Sequence, residues 1–221
     1  MKKVLIIAPH PDDETLGAGG TLLKYKTNGA QTACVFVTSA RKNKDFDAGF
    51  IAAREKEIKA VVAAYRFDKY YDLDFPAAKL TPNDTVALIK AIGDIIKDFE
   101  PTVVLLPFDK DVHSDHRIIF DAAWSCTKSF RYPSVKQVMM YETVSETDFA
   151  TEEFHPDTFV DISDFIDEKM KILSIYDSQM GEPPFPRNYE RVKALAVYRG
   201  GVFSMRYAEA FRLLKREETC V

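Results

Sequence analysis

The sequence predicts an α/β fold: a mainly parallel sheet flanked by helices, in a single domain over residues 1–221. Three observations predict it. Short apolar runs rich in β-branched residues alternate with longer stretches of helical period. Those runs are apolar throughout, as strands covered on both faces are. With 46% hydrophobic and 29% charged residues, the chain can fill one large core.

The elements follow in order. KVLIIA (Lys3 to Ala8) is the first buried strand, and TLGAGGTLLKYKTNG (Thr15 to Gly29) is a helix that Asn28-Gly29 stops. QTACVFVT (Gln31 to Thr38) is a second buried strand, SARKNKD a polar loop, and Phe46 to Tyr65 a long helix. KYYDLDF (Lys69 to Phe75) is a short third strand. Asn83 is placed to cap a helix running to about Phe99, which Pro101 ends. TVVLLP (Thr102 to Pro107) is the next buried strand, followed by the loop FDKDVHSDH and a helix over about Asp115 to Thr127. KQVMMYE (Lys136 to Glu142) and TFVDI (Thr158 to Ile162) are strands, and Ser163 is placed to cap a helix from Asp164 to Tyr176. After the proline-dense loop MGEPPFPRN, the tail carries at least one more helix, about Tyr189 to Tyr198.

A net charge of −4 gives no basic footprint, which excludes nucleic acid as a partner. No apolar run approaches the roughly 20 residues of a transmembrane segment. The opening MKKVLIIAPHPDD imitates a signal peptide, but Val4 to Ala8 is too short and charges follow at once. Cys34, Cys126 and Cys220 form no CxxC pair, so they read as reduced thiols of a cytoplasmic protein and argue against a thiolate metal site. Homo-oligomeric assembly is compatible with the sequence but not specified by it.

The informative stretch is IIAPHPDDETLGAGG, from Ile6 to Gly20. Ligands in open α/β sheets bind beyond the carboxyl ends of the strands, and PHPDDE follows the first strand. A dinucleotide loop needs G-x-G-x-x-G, but Leu22 stands where the third glycine should be. The glycines read instead as close packing of the first helix on the sheet. His10 and Asp13 can converge on one ion, with Asp12 close to it without necessarily ligating it. Nitrogen with carboxylate oxygen suits Zn²⁺, which keeps one position open in catalytic sites; Fe²⁺ suits the same donors. DVHSDH also follows a buried strand. If the first and fourth strands are neighbours, His116 completes a set of two histidines and one carboxylate.

PHPDDETLGAGGTL and DVHSDHRIIFDAA strongly resemble the PIG-L / LmbE-like family of zinc-dependent deacetylases. Arg54 and Glu57 in AAREKEIKAV, SIYDSQ (Ser174 to Gln179) and RYAEAF (Arg206 to Phe211) are similar to weaker family signatures. The resemblance implies a Rossmann-like fold and removal of an acetyl group from an N-acetylglucosaminyl compound. It implies that His10, Asp13 and His116 bind one zinc and that Asp12 is the general base. It also implies that His113 assists the transition state, that Asp115 orients it, and that Arg54 touches the substrate. One departure concerns the turn after the second strand: many relatives carry a Thr-x-Gly-Glu type of turn, whereas this chain has Thr38-Ser39-Ala40-Arg41-Lys42-Asn43-Lys44.

Several residues keep two readings. Asp115 either favours an imidazolium at His113 or caps the helix it opens. Arg54 either enters the pocket or forms a surface ion pair with Glu57 or Asp47. Arg41, Lys42 and Lys44 are a solvated loop or a clamp for an anionic substrate group. YYDLDF is core, or a surface on which a sugar stacks. Gln179 is a further candidate for the pocket wall. The leading function is N-deacetylation of an amino-sugar small molecule. The alternatives are a zinc amidase cleaving a larger acyl or thiol conjugate, and a non-catalytic sugar-binding protein with a structural metal.

Overall fold

The computed structural model describes residues 1–218, so Cys220 lies outside the described residues. Strands β1 (Lys3–Ala8), β2 (Gln31–Ser39), β3 (Lys69–Pro76), β4 (Val103–Pro107) and β5 (Gln137–Tyr141) form a parallel sheet. Strand β7 (Ala208–Arg216) pairs antiparallel with β5 and with β6 (Thr158–Asp161). The order is β3-β2-β1-β4-β5-β7-β6. Helices α1 (Asp13–Thr27), α2 (Ala48–Tyr65), α3 (Thr85–Phe99), α4 (Ser114–Ser125), α5 (Ile166–Leu173) and α6 (Tyr189–Gly201), with four short 3-10 turns, complete the described elements.

This order makes β1 and β4 neighbours, with Val4 opposite Val103 and Ile6 opposite Leu105. The chain leaves β1 towards β2 and β3, then returns to the other side for β4 and β5. That reversal is the switch point at which α/β sheets bind ligands. The two motif loops, after β1 and β4, therefore open into one crevice.

Alternation along each strand sends side chains to two apolar layers. Leu5, Ile7, Val104 and Leu106 pack with Leu88 and Ile92 of α3 and Ile119 of α4. Val4, Ile6 and Leu105 pack on the other face with Leu22 of α1 and Ile58 and Val61 of α2. Tyr71, Leu73 and Phe75 of β3 join the first layer, which favours the core reading of that aromatic strand. A Cβ on Gly17 would overlap the ring of Tyr141, so the glycine run does let α1 press against the sheet.

The tail departs from expectation. Strand β7 was not foreseen, because AEAFRLLKR mixes charges among its apolar residues instead of alternating them. Its buried charge has a structural reason. Helix α1 breaks at Ala18 (φ −142°), and the amides of Gly20 and Thr21 beyond the break donate to Glu209 of β7 at 2.9 and 2.7 Å. Lys169 of α5 pairs with the same carboxylate at 2.7 Å.

The caps also differ. Asn83 sits inside a short 3-10 turn, and Thr81 with Asp84 forms the capping box ahead of α3. Ser163 does not cap α5, which begins later and ends at Leu173. Its hydroxyl donates to Asp161 and accepts from the Tyr207 amide. Among the described residues no helix is long and apolar enough to cross a membrane.

Candidate active site

The loop after β1 begins at Pro9 and enters α1 at Asp13, so His10 and Asp12 project from the strand end and Asp13 from the first helical turn. The backbone N–H of His10 donates to Asp13 Oδ2 at 2.8 Å, closing the turn on itself. Asp12 is held at φ 135° and ψ −29°, a region that L-residues rarely adopt. Such a conformation persists only where the surroundings over-determine it, and it concentrates at functional sites.

From the other strand end, His116 lies one turn into α4 and is fully buried. Its Nδ1 is 2.8 Å from Asp111 Oδ2, and Thr147 Oγ1 donates to the other Asp111 oxygen at 2.6 Å. His116 Nε2 therefore faces the β1 loop. It is buried, has no hydrogen-bond partner among the described residues, and lies 3.2 Å from Asp13 Oδ2. His10 mirrors this arrangement: Asp115 Oδ2 holds its Nε2 at 3.1 Å, leaving Nδ1 3.4 Å from the same Asp13 oxygen.

Among the described residues, His10, Asp13 and His116 form a group whose donor atoms all lie within 4.8 Å of one another. Tetrahedral zinc with bonds of about 2.0–2.1 Å has ligand atoms about 3.3 Å apart, close to the two separations onto Asp13. An orphaned buried nitrogen, with the second nitrogen of each ring fixed by a carboxylate, is the arrangement that metal-binding histidines show. The residues fit a divalent ion.

The carboxylates polarise the site strongly. Burial works against charge on His10, yet its bonds to Asp115 and Asp13 raise it to about 9. His116 is raised in the same way by Asp13 and Asp111. Asp13 is held below the usual carboxylate range, against burial, by His116 and His10. Asp12 is pushed up to about 6 by burial and by its neighbour Asp13. One carboxylate is thus kept anionic while the next readily takes a proton.

Three expectations are corrected. His113, not Asp115, caps α4, its Nδ1 accepting the Asp115 amide at 3.1 Å. The Asp115 carboxylate is hydrogen-bonded to His10 and to the amides of Ala78 and Leu80, not to His113. The imidazolium expected at His113 is disfavoured: burial and the neighbouring His10 lower it to about 4. With Nδ1 accepting, the neutral ring carries its proton on Nε2.

A cavity of about 270 Å³ opens over these groups. Its lining includes His10, Asp12, Asp13, His113, Arg54 and Gln179. Arg54 reaches it from α2 but is buried and ion-paired with Glu57 at 2.9 Å, and it donates to the Pro11 carbonyl. The partner named in the surface reading is therefore present, but the pair is internal. Asp47 instead caps α2 through the Phe50 amide. Arg41 also lines the cavity, yet Glu55, Asp72 and Asp74 surround its guanidinium at 2.6, 2.6 and 2.9 Å. Lys42 pairs with Asp74. Arg41 and Lys42 are thus engaged by the chain's own carboxylates, which favours the solvated-loop reading for these two residues.

Sequence reasoning missed Asp111, Glu146 and Arg187. Asp111 stands five residues before His116 within the quoted motif, and Glu146 lines the cavity from the loop after β5, 3.8 Å from Arg187. Arg187, in the proline-dense loop, lines the cavity and donates to Ser145 Oγ at 2.9 Å. No local signal marks it.

Residues 5–127 match the model of the PIG-L family, described as GlcNAc-PI de-N-acetylase. The chain belongs to this family. It is 26% identical to diacetylchitobiose deacetylase of Thermococcus kodakarensis, over 97% of this chain and 84% of that relative. It is 24% identical to a Bacillus cereus protein named probable N-acetyl-alpha-D-glucosaminyl L-malate deacetylase 2, over 80% and 84% of the two chains. The solved structure of N,N'-diacetylchitobiose deacetylase from Pyrococcus horikoshii shares the fold, with a TM-score of 0.78 at 24% identity over 97% and 84% of the chains. The PIG-L chain described here is accordingly a hydrolase of the amide-cleaving kind.

Proposed function

We propose that the protein removes the acetyl group from an N-acetylglucosamine-type small molecule, using one zinc ion held by His10, Asp13 and His116. The observation that carries this reading is the orphaned His116 Nε2 facing Asp13, which lines a cavity together with Asp12 and His10. When bound, the ion supplies Lewis-acid polarisation of the acetyl carbonyl and a more acidic water.

The chain's own groups do the rest. Asp12, raised towards neutrality by burial and by Asp13, takes the water's proton and can return it to the departing amine. His113, neutral and protonated on Nε2, donates a hydrogen bond to the oxyanion of the tetrahedral species. Asp111 and Asp115 keep the two ligand imidazoles in the right tautomer. Arg187 and Gln179 line the wall where the sugar and its aglycone would lie. The buried free thiols Cys34 and Cys126 support a reducing, cytoplasmic setting.

The test is a panel of N-acetylglucosamine, N,N'-diacetylchitobiose, N-acetylglucosaminides with neutral and acidic aglycones, and amino sugars with longer N-acyl groups. Acetate and free amine should appear in equal amounts from acetylated members, stop with a chelator, and resume on adding zinc. Amine release confined to the longer acyl groups would instead make the protein a zinc amidase of another specificity.

A further inference from the structure

Two family signatures, the Arg54/Glu57 helix and SIYDSQ, contribute no group to the metal set, yet both converge beneath the β1 loop. The Pro11–Asp12 peptide is gripped at both polar ends. Its carbonyl accepts from Arg54 Nη2, and its N–H donates to Glu14 Oε2 at 3.0 Å. Each gripping side chain is fixed in turn. Glu14 is fully buried, and Thr15 and Tyr176 hydroxyls donate to its Oε1 at 2.6 and 2.9 Å. Arg54 is held by Glu57, whose carboxylate accepts from the Ser178 amide and hydroxyl, each at 2.8 Å.

We infer that Glu14 and Arg54 are positioning residues that clamp the Pro11–Asp12 peptide and so aim the Asp12 carboxylate. This rests on the reading of Asp12 as the general base. The argument is one of geometry. Asp12 sits at φ 135°, where the backbone relaxes unless something holds it. Rotating this peptide to relieve the strain would pull its carbonyl off Arg54 and its N–H off the buried Glu14 carboxylate. A stranded buried donor is costly, so both ends resist the rotation. The metal ligands are held separately, by Asp111, Asp115 and the His10 amide. The clamp therefore acts on the base and not on metal binding.

A Gln at position 14 can still accept from the Asp12 amide through its carbonyl, and its NH₂ can donate to the Thr15 and Tyr176 hydroxyls, which reorient. A Met keeps the volume and loses every bond. Glu14→Gln should retain near-wild-type kcat. Glu14→Met should lower kcat by up to about 10²-fold, the loss that a misplacement of about 1 Å can cause, with KM and zinc content unchanged. In its crystal structure the Asp12 φ should leave the positive region. If Glu14→Met does not fold, Tyr176→Phe removes one of the donors holding Glu14 and should lower kcat several-fold at constant KM. The inference is overturned if Glu14→Met keeps its kcat, if Tyr176→Phe keeps it where that variant stands in, or if zinc is lost in step with activity. Should the wild type release no amine, the deacetylase reading fails. The Asp12 φ in the zinc-loaded Glu14→Met crystal then decides the clamp alone: a φ unchanged from wild type overturns it, and a relaxed φ supports it.

Discussion

Asp111 Oδ2 lies 2.8 Å from His116 Nδ1, and that bond turns the opposite ring nitrogen towards Asp13. Asp111 is itself held by Thr147, so the imidazole is anchored through two successive contacts to the loop after β5. Outer partners of this kind typically contribute about 10–100-fold to metal affinity. Asp111→Asn should therefore weaken zinc binding by about that factor, read by competition with a chromophoric chelator. Unchanged affinity would show that His116 needs no such anchor.

The grouping of His10, Asp13 and His116 was legible because these residues lie in two short motifs at strand ends, and the apolar runs place β1 and β4 clearly. Their adjacency was only a condition in the sequence; the pairing of Ile6 with Leu105 meets it. The carboxylate partners were less legible. Asp115 is adjacent to His113's neighbour in the chain, and chain proximity suggested the wrong histidine. The backbone turn at His113 sends the Asp115 side chain to His10, 105 residues away. Strand β7 was missed because its Glu209 answers a break in α1, a requirement that no local pattern reveals. Arg187 has the same difficulty, since its place depends on how a proline-rich loop folds over the sheet.

The turn after β2 looks basic in sequence, yet Arg41 faces three carboxylates. Arg41→Ser should leave the ratio of kcat/KM on acidic and neutral substrates unchanged within about twofold at low salt. It should lower unfolding stability by no more than about 1 kcal/mol, as expected for a half-exposed ionic network. A selective loss on acidic substrates would restore the anion-clamp reading.

The pairing of β7 gives a pH prediction. Glu217, just beyond this strand, accepts from Ser129, Lys136 and Lys215, and these contacts lower its carboxyl to about 2. A depressed folded-state pKa stabilises the fold above the unfolded value of roughly 4.3 and loses that contribution as pH falls through the folded value. Thermal scans should show Glu217→Gln below wild type in Tm at pH 6, with the gap narrowing from about pH 4 downward. A gap that stays constant to pH 3 would contradict the titration.

Asp12 and Asp13 are chemically identical neighbours with different surroundings, and separating their duties tests the account most directly. The measurement is zinc content and kcat on the best acetylated substrate for Asp12→Asn and Asp13→Ala, side by side. Asp13→Ala should lose metal and activity together, because it removes one of three ligands. Asp12→Asn should keep its zinc and its KM while kcat falls by about 10²–10⁴, the range for loss of a general base. An Asp12→Asn protein that sheds zinc as readily as Asp13→Ala, or that keeps both metal and full kcat, would contradict the account.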